Sequence, residues 1–395
     1  MRLARADRSV LSDWWFTVDR LMLVALLLLM VAGLLLSFAA SPPMAARYDL
    51  EPLYFVRRHA IMMVPALILM FAASTLSPKY IRRASLVIFA GGLFMMLLAL
   101  WIGPEIKGAQ RWLQLGPMSI QPSEFVKPAF VVLVAWLFNE YQTRKDVPGL
   151  ELAVLFYAIF VTLLVMQPDF GQTLLVTLVW GGLFFMAGMD LVWIVALGIV
   201  AIVGVTASYF LVPHVASRID RFLDPSSGDT YQSDRALESF LHGGWFGRGP
   251  GEGTIKNVLP DAHTDFIFAV TAEEFGLAVC LVLVALFAFI VIRGFSKAAQ
   301  EPDGFIRHAV AGLIMLFGFQ ALINVSVNIG LLPAKGMTLP FISYGGSSFL
   351  SMALTMGFVL GLTRKRPMAV QPKPRPKPRT ARAQAKEEKT QEQAA

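Results

Sequence analysis

Acidic residues gather at the start of one apolar segment, where carboxylates are costly. Asp265 directly precedes this segment, and Glu273 and Glu274 lie about two helical turns further along it. A charged side chain at the centre of a membrane helix costs roughly 2.5–3.5 kcal/mol on insertion scales, so all three carboxylates need partners or a wet cavity. Asp265 is either a functional carboxylate or an acid favoured by the helix dipole. For Glu273 and Glu274 we expect structural pairing with a basic group.

A second polar segment, residues 103–127, combines cations, an amide and a carboxylate. Glu124 and Lys127 are three residues apart, so on a helix they share a face and can neutralise each other. Arg111 stands beside Trp112, and an arginine at the depth of lipid headgroups suits a phosphate or pyrophosphate group. We therefore expect this segment to contribute cations to an anion-binding site.

Two further segments carry isolated charges between apolar runs. Asp169 lies in residues 167–173, a connection that leaves almost no loop between two spans. Lys335 lies in residues 330–348, a polar stretch that resembles a re-entrant segment. Packing between helices explains the small residues 345–348 of this stretch, but it does not explain Lys335. We predict that both charged side chains lie on the same side of the membrane as Asp265.

Several classes of function are excluded by what the sequence lacks. The single Cys280 lies in an apolar run, and the five histidines are scattered, so no zinc or redox motif is present. No nucleotide-binding motif is present either. The net charge of +7 comes from cations at the termini and in short loops, which is typical of membrane topology rather than nucleic-acid binding.

An enzyme that works outside the cytoplasm without nucleotide needs an activated substrate, such as a lipid-linked sugar with a pyrophosphate leaving group.

Membrane helices must position these residues. Of the 395 residues 56% are hydrophobic and only 15% are charged, which departs from soluble proteins in both respects. A bilayer-spanning helix needs about 20 apolar residues. On this criterion the sequence predicts an all-α integral membrane protein with about ten transmembrane helices, near 21–40, 59–76, 84–102, 123–139, 150–166, 172–188, 191–212, 266–292, 308–329 and 344–362.

The distribution of Lys and Arg predicts that both termini are cytoplasmic. Residues 1–20 then form a cytoplasmic N-terminal segment, and residues 21–363 form a polytopic membrane domain. Its one large extracytoplasmic loop, 213–265, retains aromatic and aliphatic residues, so we expect it to fold against the membrane domain. Six glycines between residues 242 and 253 favour a flexible, turn-rich stretch within it. Residues 364–395 alternate Pro with Lys or Arg and then lack any apolar face, so we predict a disordered basic cytoplasmic tail.

Four strings resemble the SEDS family of multi-pass membrane proteins. They are GAQRWLQLGPMSIQPSEFVK (108–127), QPDFGQT (167–173), LPDAHTDFIFAVTAEEFG (259–276) and GLLPAKGMTLPFISYGGSS (330–348). The resemblance covers most of the membrane domain, and the AHTDF string and the 338–348 segment are closer to the division branch of the family than to the elongation branch. It implies a peptidoglycan glycosyltransferase that polymerises lipid II into β-1,4-linked glycan strands, with undecaprenyl pyrophosphate as leaving group.

The resemblance also implies a location and partners. The protein is expected in the bacterial cytoplasmic membrane at the division septum, with its active site on the extracytoplasmic face. Its expected partners are a class B penicillin-binding protein of the transpeptidase type and other division proteins, and no nucleic acid.

By the same resemblance, Asp265 is the catalytic general base, which removes the proton of the acceptor hydroxyl. Cations then stabilise the leaving pyrophosphate, a task that a divalent ion could share, although no metal ligands are evident. The predicted substrate-binding residues are Arg111, Gln121, Glu124, Lys127, Asp169, Arg218, Arg221, His263, Lys335 and Ser343.

Two other functions are compatible with the sequence. A lipid II flippase needs a polar path across the membrane, whereas the charges here crowd on one side. A non-catalytic scaffold for division proteins would tolerate loss of Asp265, Arg111 and Lys127. The crowding of charges on the outer side favours the enzyme.

Overall fold

The computed structural model describes residues 10–106, 108–116, 118–144, 146–189, 231–333 and 336–365, together with positions 192, 198, 199, 203, 204, 206 and 210. The chain divides into two compact units, Met1–Arg364 and Lys365–Ala395. Most of the predicted span 191–212 and of the predicted tail 364–395 lies outside the described residues. The same holds for Arg218, Arg221 and Lys335, so the roles of these residues stay predictions.

The described part of the first unit is built mainly of helices. In chain order they are α1 (Val10–Thr17), α2 (Arg20–Arg47), α3 (Tyr54–Thr75), α4 (Pro78–Ile102), α5 (Pro122–Thr143), α6 (Gly149–Met166), α7 (Phe170–Met186), α8 (Tyr231–Gly243), α9 (Ile267–Gln300), α10 (Gly304–Asn328) and α11 (Gly346–Leu362). A 3₁₀ turn covers Ile255–Asn257. The helical class is therefore confirmed, and every predicted span except 191–212 overlaps one of these helices.

Six of the described helices, namely α2, α3, α4, α6, α9 and α10, are long and apolar enough to cross a membrane. Two shorter apolar helices are α7 and α11. The predicted total of about ten spans and the orientation of the termini stay predictions.

A short antiparallel hairpin departs from the all-α prediction. Strand β1 (Leu113–Leu115) pairs with β2 (Met118–Ile120), and Gln114 is opposite Ser119. The connecting loop is two residues long, and Gly116 adopts a φ of 61°, which glycine tolerates at little cost. The hydropathy pattern missed the hairpin because its strands have only three residues each. It lies directly before α5 and so fixes where the 103–127 segment enters that helix.

Helix starts follow local capping rules. The carboxylates of Asp19, Asp169 and Asp303 accept hydrogen bonds from backbone N–H groups of Met22, Gln172 and Ile306. Each bond satisfies one of the N–H donors that a helix start leaves unpaired. Helices α4 and α5 instead begin at a proline, whose missing N–H is no loss at that position.

The centre of the described membrane domain is formed by α5 and α10. Helix α5 packs against α4, α6, α10 and α11, and α10 also packs against α7 and α9. Almost every side chain of α5 from Pro122 to Phe138 is buried. Glu124 and Lys127, the two charged residues of this stretch, are therefore enclosed by protein rather than exposed to lipid or water.

Helix α9 is interrupted at Gly276, where the backbone adopts a φ of 81° and a ψ of 173°. The glycine-rich loop after α8 packs against this break. Its backbone groups bond those that the break leaves open: Arg248 N to Glu273 O at 2.9 Å, Gly249 N to Glu274 O at 3.0 Å, Leu277 N to Gly244 O at 2.9 Å and Ala278 N to Trp245 O at 3.2 Å. The described part of the loop is thus a docked element, in agreement with the prediction that it folds against the membrane domain. The positive φ angles of glycines 244, 247, 249 and 251 fit the predicted turns.

Glu273 and Glu274 hold this loop from within α9. Glu274 pairs with Lys256, as the expectation of a basic partner requires. Glu273 differs, because its carboxylate accepts hydrogen bonds from the backbone N–H groups of residues 254, 255 and 256 at 2.6–3.2 Å. Three N–H donors stabilise the charged form of a buried carboxylate. Both acids therefore have structural partners.

Replacing Gly276 by Ala should destabilise the docked loop. A Cβ at this position would lie 2.4 Å from Gly247 N and from Trp245 O, and the positive φ adds strain. We expect a loss of about 2–4 kcal/mol, seen as a lower midpoint of thermal unfolding in detergent.

Gly251 is the matched control. It also has a positive φ, of 87°, but nothing lies within 4 Å of its Cβ position. Gly251→Ala should therefore carry only the backbone strain. Equal destabilisation by the two variants would show that close packing at the break contributes nothing.

Candidate active site

A fully buried cation lies at the centre of the site. The Nζ atom of Lys127 is 3.0 Å from the Glu124 carboxylate one turn earlier on α5. It also donates to the side-chain oxygens of Gln172, at 2.7 Å, and Gln320, at 3.2 Å. The Gln172 amide in turn donates to Glu124 at 2.8 Å. The pairing that the three-residue spacing predicts is present, and amides from α7 and α10 complete it.

A second cluster surrounds Asp169 at the start of α7. Gln121 donates to its carboxylate at 3.1 Å, and Arg111 lies 3.7 Å from the other carboxylate oxygen. Arg111 also donates to the carbonyl oxygens of Gln167, at 2.9 Å, and Pro168. Burial raises the pKa of Asp169, while the Arg111 charge and the Gln172 N–H oppose that rise. The contacts of Arg111 hold the turn before α7, yet 23% of its side chain stays exposed.

Gln172 joins the two clusters. Its backbone N–H bonds Asp169, and its side chain bonds both Glu124 and Lys127. We call the whole set the polar network: Arg111, Gln121, Glu124, Lys127, Asp169 and Gln172. Five of its six members were predicted from the sequence as substrate-binding residues, and the six come from two separate parts of the chain, residues 103–127 and 167–173.

Asp265 lies in the turn directly before α9 and is half-buried. Its backbone N–H bonds Asp261 O at 3.1 Å. Its carbonyl oxygen accepts two hydrogen bonds, from the side-chain amides of Asn324 and Asn328, both at 2.9 Å. A Cβ placed on Gly336 would lie 3.7 Å from the Asp265 carboxylate, so the carboxylate faces the segment between α10 and α11.

An amide ladder on α10 links Asp265 to the polar network. It consists of Gln320, Asn324 and Asn328, spaced four residues apart on one face and all buried. Gln320 accepts from Lys127 and donates to Thr338 O at 3.2 Å. Asn324 donates to Met337 O at 2.6 Å as well as to Asp265 O.

Sequence reasoning missed the amide ladder. The available signal was three amides at four-residue spacing within an otherwise apolar helix, because buried amides require partners.

His263 and Ser343 shape the same turn from the other side. The His263 ring packs against Phe55 and Tyr344, with ring centroids 4.5 Å and 5.5 Å away, and the His263 carbonyl accepts from Tyr344 N at 3.0 Å. Ser343 is buried, and its hydroxyl accepts from Leu339 N at 2.8 Å. The His263 contacts fasten the segment after α10 onto the Asp265 turn, whereas the Ser343 bond closes a turn within that segment. Direct contact of either residue with a substrate stays a prediction.

No metal-binding cluster is evident in the part of the chain that the structure describes. There, no three His, Cys, Asp or Glu side chains lie together as ligands would. The carboxylates of Glu124 and Asp169 are already paired with Lys127 and Arg111. The described residues therefore offer no ligand set to which the sequence-based suggestion of a divalent ion could be assigned.

The fold and the site together define the class: a multi-pass helical membrane protein with a polar network buried between its central helices. The chain belongs to the FtsW, RodA and SpoVE family, whose model carries the description "Cell cycle protein" and matches residues 19–367. This confirms the resemblance drawn from the four strings. With six described helices able to cross a bilayer, the chain is a multi-pass membrane protein.

Relatives and solved structures agree with this assignment. The chain is 50% identical over 367 residues to a probable peptidoglycan glycosyltransferase FtsW of Caulobacter vibrioides, covering 93% of this chain and 94% of the relative. It is 36% identical to a protein of the same name in Coxiella burnetii, covering 88% and 95%.

A solved structure described as structural coordination of polymerization and crosslinking by a peptidoglycan synthase complex matches with a TM-score of 0.75 and 27% identity, covering 88% of this chain and 98% of that one. The crystal structure of the rod shape determining protein RodA of Thermus thermophilus matches with a TM-score of 0.65 and 25% identity, covering 88% and 97%.

Removing the Lys127 charge alone should destabilise the protein more than neutralising both Lys127 and Glu124. Lys127→Met leaves the Glu124 carboxylate buried without its counter-ion, which costs about 3–5 kcal/mol. In the double variant Glu124→Gln with Lys127→Met the site is neutral, so we expect most of this loss to be recovered. Thermal unfolding of the purified variants in detergent measures both effects. A double variant no more stable than Lys127→Met would contradict a charge-pairing role.

Proposed function

We propose that this protein is a peptidoglycan glycosyltransferase that polymerises lipid II in the cytoplasmic membrane. The observation that carries the proposal is the near full-length similarity to the Caulobacter vibrioides protein of that name. The geometry agrees with it, because a half-buried carboxylate and a cation-bearing polar network are joined through one helix. A transfer from an activated lipid-linked donor requires a base and a stabiliser of the leaving group.

Asp265 acts as the general base in this proposal. Its carboxylate accepts the proton of the 4-hydroxyl of the acceptor N-acetylglucosamine as that oxygen bonds the anomeric carbon of the donor. The bond between this carbon and the pyrophosphate oxygen breaks, and undecaprenyl pyrophosphate leaves with the bonding electrons. Attack opposite the leaving group inverts the anomeric centre and yields a β-1,4 link.

The amide ladder positions the base. Two buried amides hold the carbonyl oxygen of Asp265, so the backbone that carries the carboxylate cannot rotate freely. A catalytic group held in a productive geometry avoids an entropic cost during reaction, and a displacement of about 1 Å can reduce the rate about 10²-fold. Asn324 and Asn328 are therefore positioning residues.

Arg111 is the network cation that can meet the leaving group. Its side chain is partly exposed, and guanidinium donors match phosphate oxygens. Lys127 has no exposed surface, so its direct contact with substrate would require the network to open. With the network intact, Lys127 and Glu124 join α5 to α7 through Gln172, and Lys127 joins α5 to α10 through Gln320. Asp169, which accepts a hydrogen bond from Gln121, in turn holds Arg111 at the turn before α7.

The same proposal includes topology and partners. About ten spans would place both termini in the cytoplasm and Asp265 on the extracytoplasmic face. The synthase complex described above coordinates polymerization with crosslinking. By analogy a class B penicillin-binding protein would crosslink the strands that this chain polymerises, and the sequence closeness to the division branch places both at the septum.

Asp265→Asn should abolish polymerisation. The amide retains the shape of the side chain but cannot accept the proton, so we expect the rate to fall by about 10²–10⁴. The measurement uses the purified chain with its penicillin-binding protein and labelled lipid II, and it scores glycan polymer by gel electrophoresis.

Asp261→Asn is the matched control. Asp261 is also half-buried, lies four residues earlier and adopts a φ of 53°, which asparagine tolerates. Its variant should retain activity. Undiminished polymer from a folded, partner-bound Asp265→Asn protein would contradict the base assignment. No polymer from either the wild type or the variant would contradict the glycosyltransferase proposal and favour lipid II flipping or a scaffold role.

Asn328→Ala should lower kcat while leaving KM near the wild-type value. The substitution removes one of the two amide donors to Asp265 O, so the carboxylate is less well placed although substrate contacts remain. We expect a decrease of about 10- to 100-fold. Asn139→Ala is the control, because Asn139 lies near the C-terminal end of α5, away from the Glu124 and Lys127 end. An effect of Asn328→Ala on KM alone would contradict a positioning role.

A further inference from the structure

An exposed apolar surface lies on the docked glycine loop. The side chains of Leu241, Trp245 and Phe246 are 82%, 63% and 88% exposed. We call residues 244–247, with Leu241, the aromatic turn. A cluster of large apolar side chains this exposed to water is unfavourable. Such a cluster marks a surface that contacts lipid or another protein. The loop packs on α9, where Leu281 and Val282 are 51% and 66% exposed.

The position of the aromatic turn along α9 sets its depth. Leu277 N bonds Gly244 O, and Ala278 N bonds Trp245 O, so the turn lies level with these two α9 residues. From residue 277 the helix has no charged residue until Arg293. Arg293 pairs with Asp19 at 2.8 Å and marks the opposite polar boundary.

The length of this apolar stretch places the turn at the edge of the bilayer. Sixteen helical steps from residue 277 to residue 293 span about 24 Å. The hydrocarbon core of a bilayer is about 30 Å thick. Leu277 and the turn bonded to it therefore lie at, or just inside, the boundary between acyl chains and headgroups.

The chemistry of the turn suits this boundary. Trp is enriched at membrane interfaces, where its ring is buried and its N–H stays near the headgroups. Helix α8 buries the side that carries Ala236, Ser239 and Gly243, and its other side brings Leu241 together with Asp234 and Glu238. Such a mixed surface suits the headgroup region, where charged groups reach water and apolar groups reach acyl chains.

We propose that the aromatic turn inserts into the lipid leaflet on the Asp265 side and anchors the docked loop to the membrane. The occupant of this surface is phospholipid acyl chain and glycerol backbone. Because Glu273 and Glu274 bind the same loop to α9, the anchor keeps the loop and the Asp265 turn at a constant depth relative to a lipid-linked substrate. The lipid contact itself does not depend on the proposed glycosyltransferase activity.

Spin labels test the proposal directly. In a Cys280→Ala background, Phe246→Cys carries a nitroxide, and the full chain is reconstituted into phosphatidylethanolamine and phosphatidylglycerol vesicles. Power saturation then compares accessibility to oxygen, which partitions into lipid, with accessibility to a water-soluble nickel complex. Glu252→Cys is the matched control, since it is exposed on the same loop but carries a polar side chain.

We expect the ratio of oxygen to nickel accessibility to be several-fold higher at residue 246 than at residue 252. Equal ratios in vesicles would overturn the proposal. Protection of residue 246 that arises only when the penicillin-binding protein is added would also overturn it, because the surface would then be a protein interface. Catalytic variants such as Asp265→Asn should show the same ratios as the wild type, so failure of the anchor and failure of the proposed function are separable.

Discussion

A charge pair enclosed between the central helices constrains how the membrane domain can pack. Glu124 and Lys127 are buried on α5, and an unpaired charge there would cost several kcal/mol. Their remaining hydrogen-bonding capacity is met by Gln172 and Gln320. Helices α7 and α10 must therefore approach α5 on one side and at one height. Apolar packing alone would allow many more arrangements, because apolar contacts are not directional.

The requirement that buried polar groups have partners also explains the contacts at the interruption of α9. Breaking α9 at Gly276 leaves backbone N–H and C=O groups without intrahelical partners, and such groups are not tolerated in an apolar environment. The glycine-rich loop supplies the missing partners, and two carboxylates hold it in place. The glycine-rich loop is thus docked on α9 through the two residues that lie beside its break, Glu273 and Glu274.

Catalytic and binding groups are joined by hydrogen bonds rather than by sequence proximity. The amide ladder on α10 reaches Lys127 through Gln320 and the Asp265 backbone through Asn324 and Asn328. A shift of α10 would change both ends of this connection together. The arrangement suits a reaction in which a proton is removed at one place while charge develops at another.

Local patterns in the sequence were sufficient for the helical class, for the positions of most helices and for the pairing of Glu124 with Lys127. Each depends on residues a few positions apart, whose relation is set by the helix period. The sequence also marked Arg111, Asp169 and Asp265 as charges that need an explanation. It did not indicate the hairpin at 113–120 or the carboxylate of Glu273 held by backbone N–H groups. Only the tertiary structure decided these features and the junction of Asp265 with α10, because contacts between residues far apart in the chain depend on how helices pack, and hydropathy carries no record of that packing.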